Sequence, residues 1–193
     1  TAGGRNVAVG SYALSVEDGD GRNTAIGYAA LMTQNAGADA YNVAVGYTAG
    51  TAITTGVDNT LIGGLAGDAL TNGQRNVAIG YAALSTEDGH GYNVAIGARA
   101  LETLNAGAHG YNVAIGVEAG LAMTTAVQNT LIGGQAGDAL TTGSYNTAVG
   151  YQALSSEDAH GYNTAIGREA LKTLNAGADA YNVAVGMQSG AEM

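Results

Sequence analysis

The chain has 193 residues, with 32 Gly and 11 Tyr but no Pro, Cys, Phe or Trp. A formal net charge of -10, with only six basic residues, excludes nucleic acid and anionic membranes as partners, because both are recognised through clustered Lys and Arg. The lack of cysteine excludes disulfides and thiolate metal sites, and no apolar run approaches the ~18 residues that a membrane-spanning helix needs.

From the first copy at Asn6, one pattern fills the sequence: Asn-[Val/Thr]-Ala-[Ile/Val]-Gly-x-x-Ala-[Leu/Gly]. It returns at Asn23, Asn42, Asn59, Asn76, Asn93, Asn112, Asn129, Asn146, Asn163 and Asn182. The spacings cycle through 17, 19, 17 and 17 residues, so four copies make a super-repeat of 70. Periodicity this strict means stacked units, and length then counts units rather than domains. Residues 1–193 are read as a single repeat array, expected to be a segment of a longer fibre whose caps lie elsewhere.

The first five residues of each copy predict a short β-strand closed by Gly. Alternation puts Val7 and Val9, or Thr24 and Ile26, on one face and Asn6 and Ala8, or Asn23 and Ala25, on the other. Small Ala has no reason to persist on a face that meets water. Both faces are therefore expected to be buried, one inside the coil and one against something else. Gly10, Gly27 and their equivalents mark a corner, and the next residues, ending in Ala and then Leu or Gly, form a second wall. The remainder of each unit is polar turn material such as Glu17-Asp18-Gly19-Asp20-Gly21, and the two extra residues of the longer units fall there, as in Asn35–Ala40. In the fourth unit of each super-repeat Leu61 and Leu131 replace Ala, and Gly64 and Gly134 appear three positions on, a paired change that reads as volume compensation. A 17-residue unit cannot hold two helices and two turns, so the fold class is all-β: a parallel β-solenoid of eleven 17–19-residue coils, about 53 Å long at ~4.8 Å per coil.

At Val77-Ala78-Ile79-Gly80-x-x-Ala83 and Val94-Ala95-Ile96-Gly97-x-x-Ala100 the chain resembles the YadA-like head repeats of trimeric autotransporter adhesins. Asn163-Thr164-Ala165-Ile166-Gly167-Arg168-Glu169-Ala170-Leu171 is also similar to repeats of phage tail-fibre proteins. The resemblance implies a left-handed β-roll in each chain and a homotrimer of three rolls around a common axis, displayed outside the cell or on a virion. It also implies that the second buried face is the trimer interface, made by Ala8, Ala25, Ala44, Ala78, Ala95, Ala114, Ala148, Ala165 and Ala184. The adhesin repeat is nearer fourteen residues, shorter than the unit found here.

The Asn row reads as an internal ladder, as in other stacked β structures. The residues just before it are mostly Arg or Tyr, and Tyr41, Tyr92, Tyr111, Tyr162 and Tyr181 are candidates for contact with a host-surface glycan or protein receptor. The acidic turns Glu17-Asp18-x-Asp20, Glu87-Asp88-x-His90 and Glu157-Asp158-x-His160 recur at the super-repeat, but Asp gives way to His, which breaks a hard-cation pattern, and no metal or other cofactor is assigned. No nucleophile, base or phosphate-loop constellation is present, and repetition opposes an asymmetric active site, so the chain is not read as an enzyme. The reading is a structural fibre segment that supports or mediates attachment. The alternative is a single-chain solenoid that binds ice or glycan, for which Thr24, Thr60 and the pairs Thr54-Thr55 and Thr124-Thr125 are the relevant residues.

Overall fold

The computed structural model describes residues 4–17, 21–175 and 177–192. Among them are eleven three-residue strands and no helix long and apolar enough to cross a membrane. The strands are β1 (Val7–Val9), β2 (Thr24–Ile26), β3 (Val43–Val45), β4 (Thr60–Ile62), β5 (Val77–Ile79), β6 (Val94–Ile96), β7 (Val113–Ile115), β8 (Thr130–Ile132), β9 (Thr147–Val149), β10 (Thr164–Ile166) and β11 (Val183–Val185). They form one parallel sheet in chain order, and equivalent residues stand opposite each other, as in Val77↔Val94, Ala78↔Ala95 and Ile79↔Ile96. The fold is a parallel β-solenoid. The rest of each coil is a series of turns rather than a second strand, yet its backbone also bonds from coil to coil: Gly97 N–H to Ile79 O at 2.7 Å, Arg99 N–H to Tyr81 O at 2.8 Å, and Leu101 N–H to Ala119 O at 3.1 Å.

Left-handed corners close the coil. In the coil of Asn93 they fall at Tyr92 (φ 64°), Gly97 (φ 134°), Arg99 (φ 60°) and Leu101 (φ 50°), and the same four positions recur along the chain. Gly97 cannot be replaced freely, since a Cβ there would come within 2.5 Å of the Gly116 carbonyl carbon one coil on. At the other three corners an L side chain adopts the left-handed region, which costs about 1–2 kcal/mol per residue. Packing and stacking of those side chains must offset it.

The core is narrow and cycles with the super-repeat. Ala78 and Ala95 are fully buried on the strand wall, and Leu84 and Leu101 fill the coil from the opposite wall. In the third and fourth units that leucine becomes Gly50 or Gly67, where a Cβ would meet the side chain of Leu61 at 2.7 and 2.8 Å respectively. One strand leucine thus fills the space two opposite leucines occupy elsewhere. The compensation expected between Leu61 and Gly64 lies instead between Leu61 and this glycine pair. Gly64 is outside the core, and a Cβ added there would meet only the Tyr81 ring, at 3.7 Å.

Candidate interaction surfaces

The strand wall turns the opposite way from the sequence expectation. Ala25, Ala44, Ala78, Ala95, Ala114, Ala148 and Ala165 are 0% exposed within the single chain and Ala184 is 6%. Ala8, in the first coil, is exposed. Apart from Ala8, these alanines line the interior of the coil and have no surface to offer a second chain. The physical reason is width: Leu and Met side chains from the opposite wall fill the coil, leaving room for only a methyl group from the strand except where Gly67 and Gly137 admit Leu61 and Leu131.

The outer face therefore carries the β-branched side chains. Val7, Val9, Ile26, Ile62, Ile115, Ile132, Ile166, Val183 and Val185 are exposed, and Val43, Val45, Val77, Ile79, Val94 and Ile96 are half-buried by their neighbours along the row. The residue after the corner glycine extends this face with Tyr28, Tyr47, Tyr81, Val117, Tyr151 and Met187, all exposed. Among the three outward positions of every coil only Arg168 is charged, although the chain holds 16 acidic residues. Such a continuous apolar surface is unusual on a solitary soluble chain.

The Asn row is buried and internally satisfied. Asn93 N–H donates to Asn76 Oδ1 at 3.1 Å, Asn76 N–H to Asn59 Oδ1 at 3.0 Å, and Asn59 N–H to Asn42 Oδ1 at 2.9 Å. In the middle coils Nδ2 reaches a turn carbonyl, as Asn59 does to Gly73 O at 2.8 Å and Asn129 to Gly143 O at 2.9 Å, while that of Asn23 donates to the Glu17 carboxylate at 3.3 Å and that of Asn182 to Asn163 Oδ1 at 3.1 Å. The ladder offers nothing to a ligand.

The residues before Asn form a surface row in which ring faces are spent on one another. Tyr92 stacks on Tyr111 at 5.0 Å, Tyr145 on Tyr162 at 4.9 Å, and Tyr162 on Tyr181 at 4.9 Å. Arg22 lies 5.2 Å from the Tyr41 ring and donates to its hydroxyl, and Arg75 lies 5.4 Å from the Tyr92 ring. Stacking a sugar on the middle of the row would first require parting two tyrosines. Burial and then the neighbouring tyrosines raise the Tyr162 pKa above the ordinary phenol value, so it stays protonated at neutral pH.

Sequence reasoning missed a second polar row on the turn wall. Arg99 donates to Glu118 at 3.0 Å, Gln135 to Glu118 at 3.1 Å, and Gln152 to Gln135 at 2.9 Å, one rung per coil. Further along, Gln188 donates to Glu169 at 2.8 Å; this bond first, then that from Arg168, holds the Glu169 carboxyl below its ordinary range. Arg, Glu and Gln recurring at one repeat position was the available signal. Asp68 and Asp138, equivalent residues of two super-repeats, are instead pushed up by burial.

The acidic turns place donor atoms of Glu87, Asp88 and His90, and of Glu157, Asp158 and His160, within 4.8 Å of one another. Asp18 and Asp20 lie outside the described residues. Glu87 is fully buried and already employed: Oε1 accepts the His90 N–H at 3.1 Å and Oε2 the Ala106 N–H at 3.2 Å, tying its turn to the next coil. His109 sits on the surface, edge-on to Tyr92 at 4.7 Å. The threonine pairs are exposed at Thr54-Thr55 and Thr124-Thr125, but Thr124 Oγ1 donates to Thr141 O at 3.1 Å.

No protein-family model, no curated protein and no solved structure matches this chain.

Proposed function

We propose that the chain is a load-bearing segment of a trimeric fibre of the adhesin or tail-fibre kind, displayed on a cell or virion surface, which supports attachment at a host or other surface. One observation carries this reading: a face of β-branched residues and tyrosines, with Arg168 as its one charge, runs the length of the rod and stays open in the single chain. Four residue steps across, as from Val77 to Tyr81, and eleven coils along, it measures roughly 14 Å by 53 Å. That is on the order of the 800 Å² per partner of a standard protein interface. A rod with one such face closes its contacts when copies are arranged around an axis parallel to it, leaving the acidic turns outward to keep the assembly soluble.

The interface proposed here is the valine and isoleucine face, not the alanine face. Ile96→Asp and Val94→Asp tests it, because a carboxylate buried between chains is costly while one on an open surface is not. Loss of the trimer with the β signal of the circular dichroism spectrum retained is the expected result.

A second reading uses the same face. Thr24, Thr60, Thr130, Thr147 and Thr164 stand on it in register with the valines, and a flat array of that kind on a lone chain suits ice. Ice-crystal shaping by a monomeric protein would favour it. Glycan binding is better sought at the outer loops, where Gly37 and Gly107 stand in open space, than on the stacked tyrosine faces.

A further inference from the structure

We propose that the tyrosine row is a site of oxidative cross-linking, in which carbon–carbon bonds join tyrosines of consecutive coils: Tyr145 to Tyr162, Tyr162 to Tyr181, and Tyr92 to Tyr111. Three observations carry it. The rings of these pairs are close to parallel, with interplanar angles of 9°, 21° and 24° at centroid distances of 4.9, 4.9 and 5.0 Å. The backbones beside the pairs are bonded from coil to coil, Gly110 N–H to Gly91 O at 3.1 Å next to Tyr92 and Tyr111 and Tyr162 N–H to Ser144 O at 3.1 Å next to Tyr145, which holds neighbouring rings in register along the rod. Tyr145, Tyr162 and Tyr181 are 45, 42 and 68% exposed, which leaves them open to an oxidant.

The chemistry closes with a peroxide as oxidant and a haem peroxidase to transfer its electrons. Each phenol loses one electron and its hydroxyl proton, giving two tyrosyl radicals on adjacent rungs. One bond forms between ring carbons ortho to the two oxygens. The hydrogens on those carbons leave as protons while the oxygens are reprotonated, which restores two aromatic phenols. The chain loses two hydrogens per bridge, and hydrogen peroxide, taking up two electrons and two protons, leaves as two waters. In a chain without cysteine such a bridge would staple coil to coil as a disulfide cannot.

Tyr81 and Tyr151 are built-in controls. They are 60 and 50% exposed, but each ring lies over a glycine of the preceding coil, Gly64 or Gly134, rather than over another ring. The test treats the folded protein with a haem peroxidase and hydrogen peroxide, then denatures, digests and maps bridged peptides by mass. The expected result is intrachain bridges at the stacked pairs, each lighter by two hydrogens, with the denatured chain still running as a single chain on a gel. Tyr162→Phe keeps a ring in place; both bridges through position 162 should vanish while Tyr92–Tyr111 persists. Bridges that involve Tyr81 and Tyr151 as often as the stacked pairs, bridges only between chains, or none at all would overturn the proposal.

Discussion

Asn59 and Asn76 stand one coil apart, and the side-chain oxygen of the first accepts the backbone N–H of the second at 3.0 Å. The Nδ2 of Asn76 in turn donates to His90 O at 3.1 Å, and its Oδ1 accepts Asn93 N–H at 3.1 Å. Leucine at position 76 leaves a buried N–H and a carbonyl without partners, and each orphaned group costs about 1–3 kcal/mol. Asn76→Leu is expected to lower stability in urea by about 2–5 kcal/mol. Asn76→Asp keeps the acceptor but not the donor and should fall between the two.

Two glycines with positive φ are expected to respond very differently to alanine. Gly97 (φ 134°) faces the Gly116 carbonyl, whereas Gly107 (φ 66°) stands in open space at a loop tip. Gly107→Ala should cost only the left-handed strain, about 1–2 kcal/mol. Gly97→Ala must also push apart two backbones joined by sheet hydrogen bonds, and loss of the cooperative thermal transition is expected. Equal effects of the two would contradict the corner geometry.

A Cβ at Gly120 would meet Leu101 and Met123 at 2.8 Å and Leu131 at 2.9 Å. Gly120→Ala should therefore destabilise by about 1–3 kcal/mol as overpacking, and Leu131→Ala by about 2–5 kcal/mol as a cavity. Combined, they relieve each other, and a double-mutant cycle in urea should show a coupling of about 1 kcal/mol or more.

These cases mark what was legible in the sequence. The strand, its closing Gly97 and the Asn76 ladder were readable because period, residue type and role coincide in every copy. The direction of the strand wall was not. Alternation separates Ala95 from Val94 and Ile96 but does not say which side is inside, and the usual expectation that isoleucine is buried points the wrong way when Leu101 and Met123 already fill the coil. The left-handed corners at Tyr92 and Arg99 were hidden for a related reason, since nothing in the identity of Tyr or Arg announces a positive φ. At Tyr92 the offset comes from stacking on Tyr111 in the next unit, at Arg99 from ion pairs to Glu102 and Glu118, and both are visible only once the coils are stacked.

The carboxyls predict opposite responses to pH. Burial raises Asp68 and Asp138 above their ordinary 3.8, so folding favours their protonated forms. The stability they contribute is full below that value and is lost as pH rises through the raised folded values. Asp68→Asn should thus stabilise the protein at neutral pH, by less than ~1 kcal/mol because the group is partly solvated. Glu169 has the reverse sign: its contribution is present above the ordinary 4.5 and is lost as pH falls through its lowered folded value. Gln188→Leu removes the first cause of that shift and should weaken the acid-side dependence. Thermal melting from pH 3 to 7 on these variants and the parent checks both signs.

The molar mass of the protein in solution, by light scattering, tests the central claim most directly: that the open valine and isoleucine face is covered by other copies of the chain. The account predicts a mass of three chains, falling to one in Ile96→Asp. A mass of one chain for the unaltered protein would contradict it and would leave that face as the contact surface of a solitary solenoid.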